Sequence, residues 1–186
     1  MADNKKTVKL GVRDFSFAQL DESGMVKGEP RKVHGLRKAT LGVTINQEDF
    51  HGDDGVHAIL DGGISELTLD IEVADLSSED KKLLFGIEVE DGIEIYKKDL
   101  QIPYVACSFR TTTNEGAAVW YGLPKGKFTL PTADLNGNQG SPNANPDTIT
   151  GRFEENNNGR MYYIGREDNE DYKEETFKKK VFPSLP

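Results

Sequence analysis

Residues 64–73 read Ile-Ser-Glu-Leu-Thr-Leu-Asp-Ile-Glu-Val, with Leu67, Leu69, Ile71 and Val73 on one side and Thr68, Asp70 and Glu72 on the other. A period of two is what a half-buried strand requires, because successive side chains point to opposite faces. Asp75 to Asp80 breaks that period and opens a short helix. Ser77 or Ser78 can accept from the first orphan amides, and Glu79 and Asp80 favour the positive end of the helix dipole. Leu83, Leu84 and Phe85 give the helix an apolar side, and Gly86 ends it. Ile87, Val89, Ile93 and Ile95 then alternate about Asp91-Gly92, a two-residue turn that tolerates positive φ. Ile102 to Phe109 and Ala117 to Tyr121 are again strand-like. The block from 64 to 131 is therefore a strand, one helix, then antiparallel strands.

Working outward, Thr7 to Leu20 reads as one or two strands with Phe15 and Phe17 on a common side, and Asp21 to Gly24 as a turn. Val26 to Lys38 is basic and contains Pro30 and Gly35, which makes it a weak strand or a loop. Thr40 to Ile45 alternates. Residues 46–63 lose all periodicity and predict a long loop, and residues 131–147 predict a second, flexible one. Thr148 to Phe153 and Arg160 to Ile164 are the last expected strands, joined by Asn156-Asn157-Asn158-Gly159. One domain over 1–165 follows, with 166–186 as a charged C-terminal arm. That arm is either disordered or lays its apolar end, Val181-Phe182-Pro183-Ser184-Leu185-Pro186, on a neighbour. The expected class is mainly β: an antiparallel β-sandwich or barrel with one short flanking α-helix, a long loop and terminal arms.

The chain has 186 residues, enough for one domain with its own core. Its 23 basic and 32 acidic residues give a net charge of −9, a balance that repels a phosphate backbone and argues against sequence-reading of nucleic acid. No apolar run approaches the roughly 18–20 residues a membrane span needs. Met1 to Lys6 has no apolar segment, so no export signal is expected, and a single cysteine leaves no internal disulfide framework.

Few residues suggest chemistry. His51, Asp53, Asp54 and His57 lie close together, but a glycine-rich loop offers no rigid frame for metal ligands, and polar turn residues are the better account. Asp134 to Asn138 resembles a calcium loop, yet Gln139 and Asn145 stand where such a loop needs Gly and Glu. In Gly122 to Phe128 the glycines are too close together for a phosphate loop, and Phe128 stands where Ser or Thr would bind magnesium. Cys107 sits in an apolar strand with no activating base in view. No catalytic residue, cofactor or metal is expected. The aromatic residues Trp120, Tyr121, Tyr162 and Tyr163 leave a carbohydrate-binding module as an alternative, although their strand context favours core or interface positions.

The order of pieces resembles a known family. Asp53-Asp54-Gly55 precedes a strand ending Glu72-Val73-Ala74-Asp75-Leu76-Ser77, and the helix stops at Gly86. Then follow Asp91-Gly92, Pro103-Tyr104-Val105-Ala106, Val119-Trp120, Lys125-Gly126-Lys127-Phe128, Pro131 and Thr148-Ile149-Thr150-Gly151. Together they resemble the major tail (tail tube) proteins of long-tailed phages, especially the phi13-type family, over about residues 8–153. Cys107-Ser108 is a departure, since relatives often have Leu-Gly there. The resemblance implies a structural virion protein whose hexameric rings stack into a tube, assembled in the host cytoplasm. Its implied partners are further copies of itself, a tape-measure protein, a tail terminator and baseplate or distal tail proteins. DNA would pass through the lumen without specific binding. The tube of a contractile or secretion-type injection device is the alternative with the same architecture. By analogy the 46–63 loop reaches the next subunit or ring. The interface candidates are thus Phe50, His51, Asp53, Asp54, Gly55, Val56 and His57, with Phe182 and Leu185 in the terminal arm.

Overall fold

The computed structural model describes residues 7–52, 55–132, 135–136 and 144–183. Ten strands form in chain order: β1 (Lys9–Gln19), β2 (Arg31–Lys32), β3 (Leu36–Gly52), β4 (Gly55–Val73), β5 (Glu88–Glu90), β6 (Ile93–Ile95), β7 (Val105–Thr113), β8 (Ala118–Phe128), β9 (Asp147–Phe153) and β10 (Tyr163–Arg166). Helix α1 (Ser78–Phe85) follows β4, and α2 (Glu174–Val181) closes the chain. Eight strands make one antiparallel sheet in the order β2-β1-β7-β8-β9-β4-β3, with β10 also paired to β8, while β5 and β6 form a separate hairpin. The sheet rolls far enough to bring β1 against β3. No ladder joins those two among the described residues, so the sheet stays open and no barrel closes.

The alternation in β4 does what its pattern predicts. Leu67, Leu69, Ile71 and Val73 are wholly buried and meet Phe15 and Phe17 of β1, Cys107 of β7 and Ile149 and Phe153 of β9 in one core. Pairing Leu67 with Val43 and Leu69 with Leu41 keeps the apolar residues of β3 and β4 on a common face, because directly opposite residues share a side. Phe128 meets Phe15 and Phe153 edge-on, at centroid distances of 6.2 and 5.6 Å.

Helix α1 starts as the sequence suggests. Ser77 accepts from the Asp80 amide while the Asp80 carboxylate accepts from the Ser77 amide, a reciprocal capping box. Gly86 ends the helix in the left-handed region, at φ 74°. Leu84 and Phe85 lie in the core. Asp91 and Gly92 take the positive φ that the β5–β6 turn requires.

Two expectations are corrected. Residues 46–63 are no loop: apart from Asp53 and Asp54, which lie outside the described residues, they continue β3 and β4. The period is hidden because neither face of this stretch is buried in the chain, and register shifts at Thr44/Ile45, Ile45/Gln47 and Phe50/His51 break what alternation remains. The second correction concerns the C-terminal stretch, which folds as α2 on its own chain. Phe177 and Val181, one helical turn apart, are buried together with Phe182 against Ala18, Leu20, Val26 and Ala106. Gly122 makes room for this, since a Cβ there would lie 2.1 Å from Val181 Cγ2. The structure thus has two helices where one was expected.

Leu69→Ala empties a wholly buried position and is expected to lower stability by about 2–5 kcal/mol, read as a lower midpoint in urea unfolding.

Candidate functional site

Strand β4 pairs with β9 only from Leu67 onward, and residues 55–66 pair with β3 alone. Strand β3 is the last of the sheet order, so its outer edge has no ladder partner among the described residues. The distal half of the β3–β4 hairpin therefore leaves the body as a two-stranded arm. Ile45–Gly52 at ~3.3 Å per residue gives it a reach of roughly 25 Å.

The apolar side chains along this arm lack the cover that those of the body have. Leu67 is fully buried, whereas Ile45 is 56%, Phe50 54%, Ile59 60% and Leu60 53% exposed. Register places Glu48 opposite Leu60 and Phe50 opposite Ala58 on one face, and Gln47 opposite Asp61 and Asp49 opposite Ile59 on the other. Both faces thus carry large apolar side chains. Residues 47–61 contain five acids (Glu48, Asp49, Asp53, Asp54 and Asp61) and no lysine or arginine.

The structure gathers most of the predicted interface residues at the arm tip. Phe50 and His57 meet edge to face at 6.3 Å, His51 is exposed and pairs in register with Val56, and Gly55 opens β4. Asp53, Asp54 and Leu185 lie outside the described residues. Phe182 is largely buried in its own chain, packed with Phe177 and Val181 rather than extended as a free arm. Its position two residues after the lysine run hid it, while the Phe177 and Val181 spacing was the available signal for α2.

A second feature escaped sequence reading. Between α2 and the segment 26–32, over β1, β7 and β8, lies a groove of about 780 Å3. Ser16 and Ser108 are cross-strand neighbours on its floor, next to Arg110 and Trp120. The Trp120 ring has the Arg110 guanidinium 5.5 Å and the Lys178 ammonium 5.9 Å from its centre. Asp14, held at a positive φ of 58°, accepts from both Lys32 and Arg110. The hydrogen bond from Lys32, with help from Arg110, keeps the Asp14 carboxyl below the ordinary carboxylate range despite its partial burial.

The remaining candidates fall into place as structure. Tyr121 stacks on Phe109 at 5.1 Å and Tyr162 packs on the main core, whereas Trp120 and Tyr163 pack in the α2 cluster. These four aromatics therefore divide between two clusters and make no single sugar-stacking face. Cys107 is fully buried, and burial pushes its thiol pKa well up. Among the described residues no three His, Cys, Asp or Glu side chains gather as a metal site would need.

The model of the family described as phage tail tube protein matches residues 9–185. The chain belongs to this family. It is a structural component of a phage tail tube, hence of the virion tail, and not an enzyme. A search of the curated proteins finds no significant match. Among solved structures, the tube-terminating cap of the anti-feeding prophage shares the fold, with TM-score 0.51 and 13% identity over 88% of this chain and 96% of that one. A chain of the extended sheath–tube complex of the PVC extracellular contractile injection system gives 0.47 and 10% identity over 81% and 87%. One from the anti-feeding prophage baseplate gives 0.45 and 11% over 82% and 92%.

Because the folded pKa of Asp14 is depressed, its contribution to stability is present at neutral pH and is lost as pH falls through that value. Asp14→Asn, which keeps a side chain tolerant of positive φ, should destabilise the protein at pH 7 and do so less at an acid pH below the ordinary carboxylate range, as Asp14 takes up its proton. Urea titrations at the two pH values check this.

Proposed function

We propose that this tail tube protein forms hexameric rings that stack into the tube, with the β3–β4 arm as the link between neighbouring subunits. The observation that supports this most directly is the arm itself. A two-stranded ribbon in water is marginal on its own, and this one exposes apolar residues on both faces and an unpaired edge along β3. Cover on both faces requires contact with more than one surface, which a packed ring of identical copies supplies. Distinct donor and acceptor surfaces are heterologous contacts, which close into rings when the rotation closes and extend when it does not.

The net charge of −9 suits a conduit, since acidic walls repel DNA and let it pass without adhesion. On this reading the tape-measure protein occupies the tube during assembly in the host cytoplasm, the tail terminator closes one end, and baseplate or distal tail proteins hold the other. A contractile or secretion-type device is a second setting for the same architecture, and binding of a sheath protein would separate the two.

Negative-stain microscopy over a concentration series is expected to show rings or hollow tubes for the intact chain. Replacing residues 47–61 by a two-residue Asn-Gly turn should leave a folded monomer, by circular dichroism and sedimentation, that forms neither. A shortened protein that assembles like the intact one would overturn the role of the arm. An intact chain that stays monomeric with the tape-measure protein present would overturn the ring.

A further inference from the structure

We propose that the groove over Trp120 is the receptor for the arm tip of a second copy, with Phe50 seated on the groove floor and Glu48 facing Lys179. This inference rests on the reading of the arm as a contact between subunits and names the surface that receives it.

Three observations carry the assignment. The first is shape. A groove of about 780 Å3 is in the size range that encloses a small ligand, and it has room for the few side chains of a hairpin tip. None of its lining residues comes from the arm, so each copy presents its groove unfilled by its own hairpin.

The second is apolar chemistry. Val26, Pro30, Trp120 and Phe182 line the groove and offer an aromatic ring the surface it needs. Phe50 is the one ring on the arm that is large, apolar and exposed, and Leu60 shares its face.

Charge is the third. The arm has acids and no Lys or Arg, whereas the groove's own carboxylates are largely spent inside the chain. Asp14 serves Lys32 and Arg110, Glu174 pairs with Lys178, and Glu167 accepts from the Ala118 amide, which leaves the exposed Glu29 as the one lining carboxylate with no ion pair or hydrogen bond among the described residues. Lys179, on the groove wall, and Lys180 beside it make no ion pair among the described residues. Glu48 lies on the same face of the arm as Phe50 and is exposed, so seating the ring brings that carboxylate to the lysine side of the groove.

The test uses the full chain with a benzophenone analogue of phenylalanine at position 50, assembled with wild-type protein, irradiated and mapped by peptide mass spectrometry. Intermolecular cross-links to residues 26–32, Trp120 or 177–182 are the expected result. Cross-links elsewhere in well-formed tubes would overturn the groove assignment and leave the assembly reading standing, whereas absence of any ring or tube from the wild type would sink both. A charge-exchange series guards against the analogue disturbing assembly. Lys179→Glu is expected to raise the critical concentration at least tenfold, and adding Glu48→Lys in the same chain should restore it. Assembly unaffected by Lys179→Glu, or impaired with no rescue by the second change, would count against the pairing.

Discussion

A β-ribbon two strands wide cannot bury what it carries, and this protein extends one well beyond its own core. Strand β4 is sheltered on its core face from Leu67 to Val73 and exposed at Ile59, Leu60 and Ile64. The strand that closes the interior of the monomer therefore runs on with apolar side chains uncovered. Hydrophobic burial at roughly 25 cal/mol per Å2 acts on the second half as on the first, but only another molecule can realise it. Stability of the subunit and incompleteness of the subunit come from one strand.

The body is arranged to hold that strand firmly. Strand β9 pairs with β4 from Leu67 to Val73, and beyond β4 the chain turns at once into α1, whose capping box fixes its start. Ion pairs tie the polar side of the same strand to its neighbours, Glu66 with Arg152 at 2.9 Å and Glu72 with Arg37 at 3.3 Å. Being partly exposed, these add little energy, and their value is in register. At the root of the arm, Gly63 at φ 77° sits where the pairing slips between Ile45/Ile64 and Gln47/Asp61. Such a bulge twists the ribbon and sets its exit angle from the sheet.

The sequence is legible wherever burial imposes a period. Strand β4 with its four buried residues, the Phe15 and Phe17 pair, the Ser77 cap, Gly86 and the Asp91-Gly92 turn all stand where their chemistry predicts. It is illegible where both faces are wet. Residues 46–63 alternate in space but not in hydropathy, because Phe50 and Leu60 share one face with Glu48 while Ile59 shares the other with Asp49. Helix α2 hides for a different reason: two apolar residues at i and i+4 among five Glu and Lys are a weak signal, and the glycine that receives Val181 lies nearly sixty residues earlier in β8. The lost periodicity of residues 46–63 marks the stretch out, but its form is a hairpin arm and not a loop. The groove has no linear signature, since its residues come from β1, β2, β7, β8 and α2.

The acids of the arm also govern the free subunit. A ribbon with an unpaired edge and bare apolar residues is a template for stacking on its like, the route to disordered β-aggregates. Five carboxylates with no cation among residues 47–61 make two such ribbons repel one another over a screening distance of roughly 8 Å at physiological ionic strength. The segment most prone to misassociation thus carries a like charge that opposes it. On the proposed reading, growth is then directed to a surface of different character, and the electrostatics of the least covered part of the subunit set which contact can form.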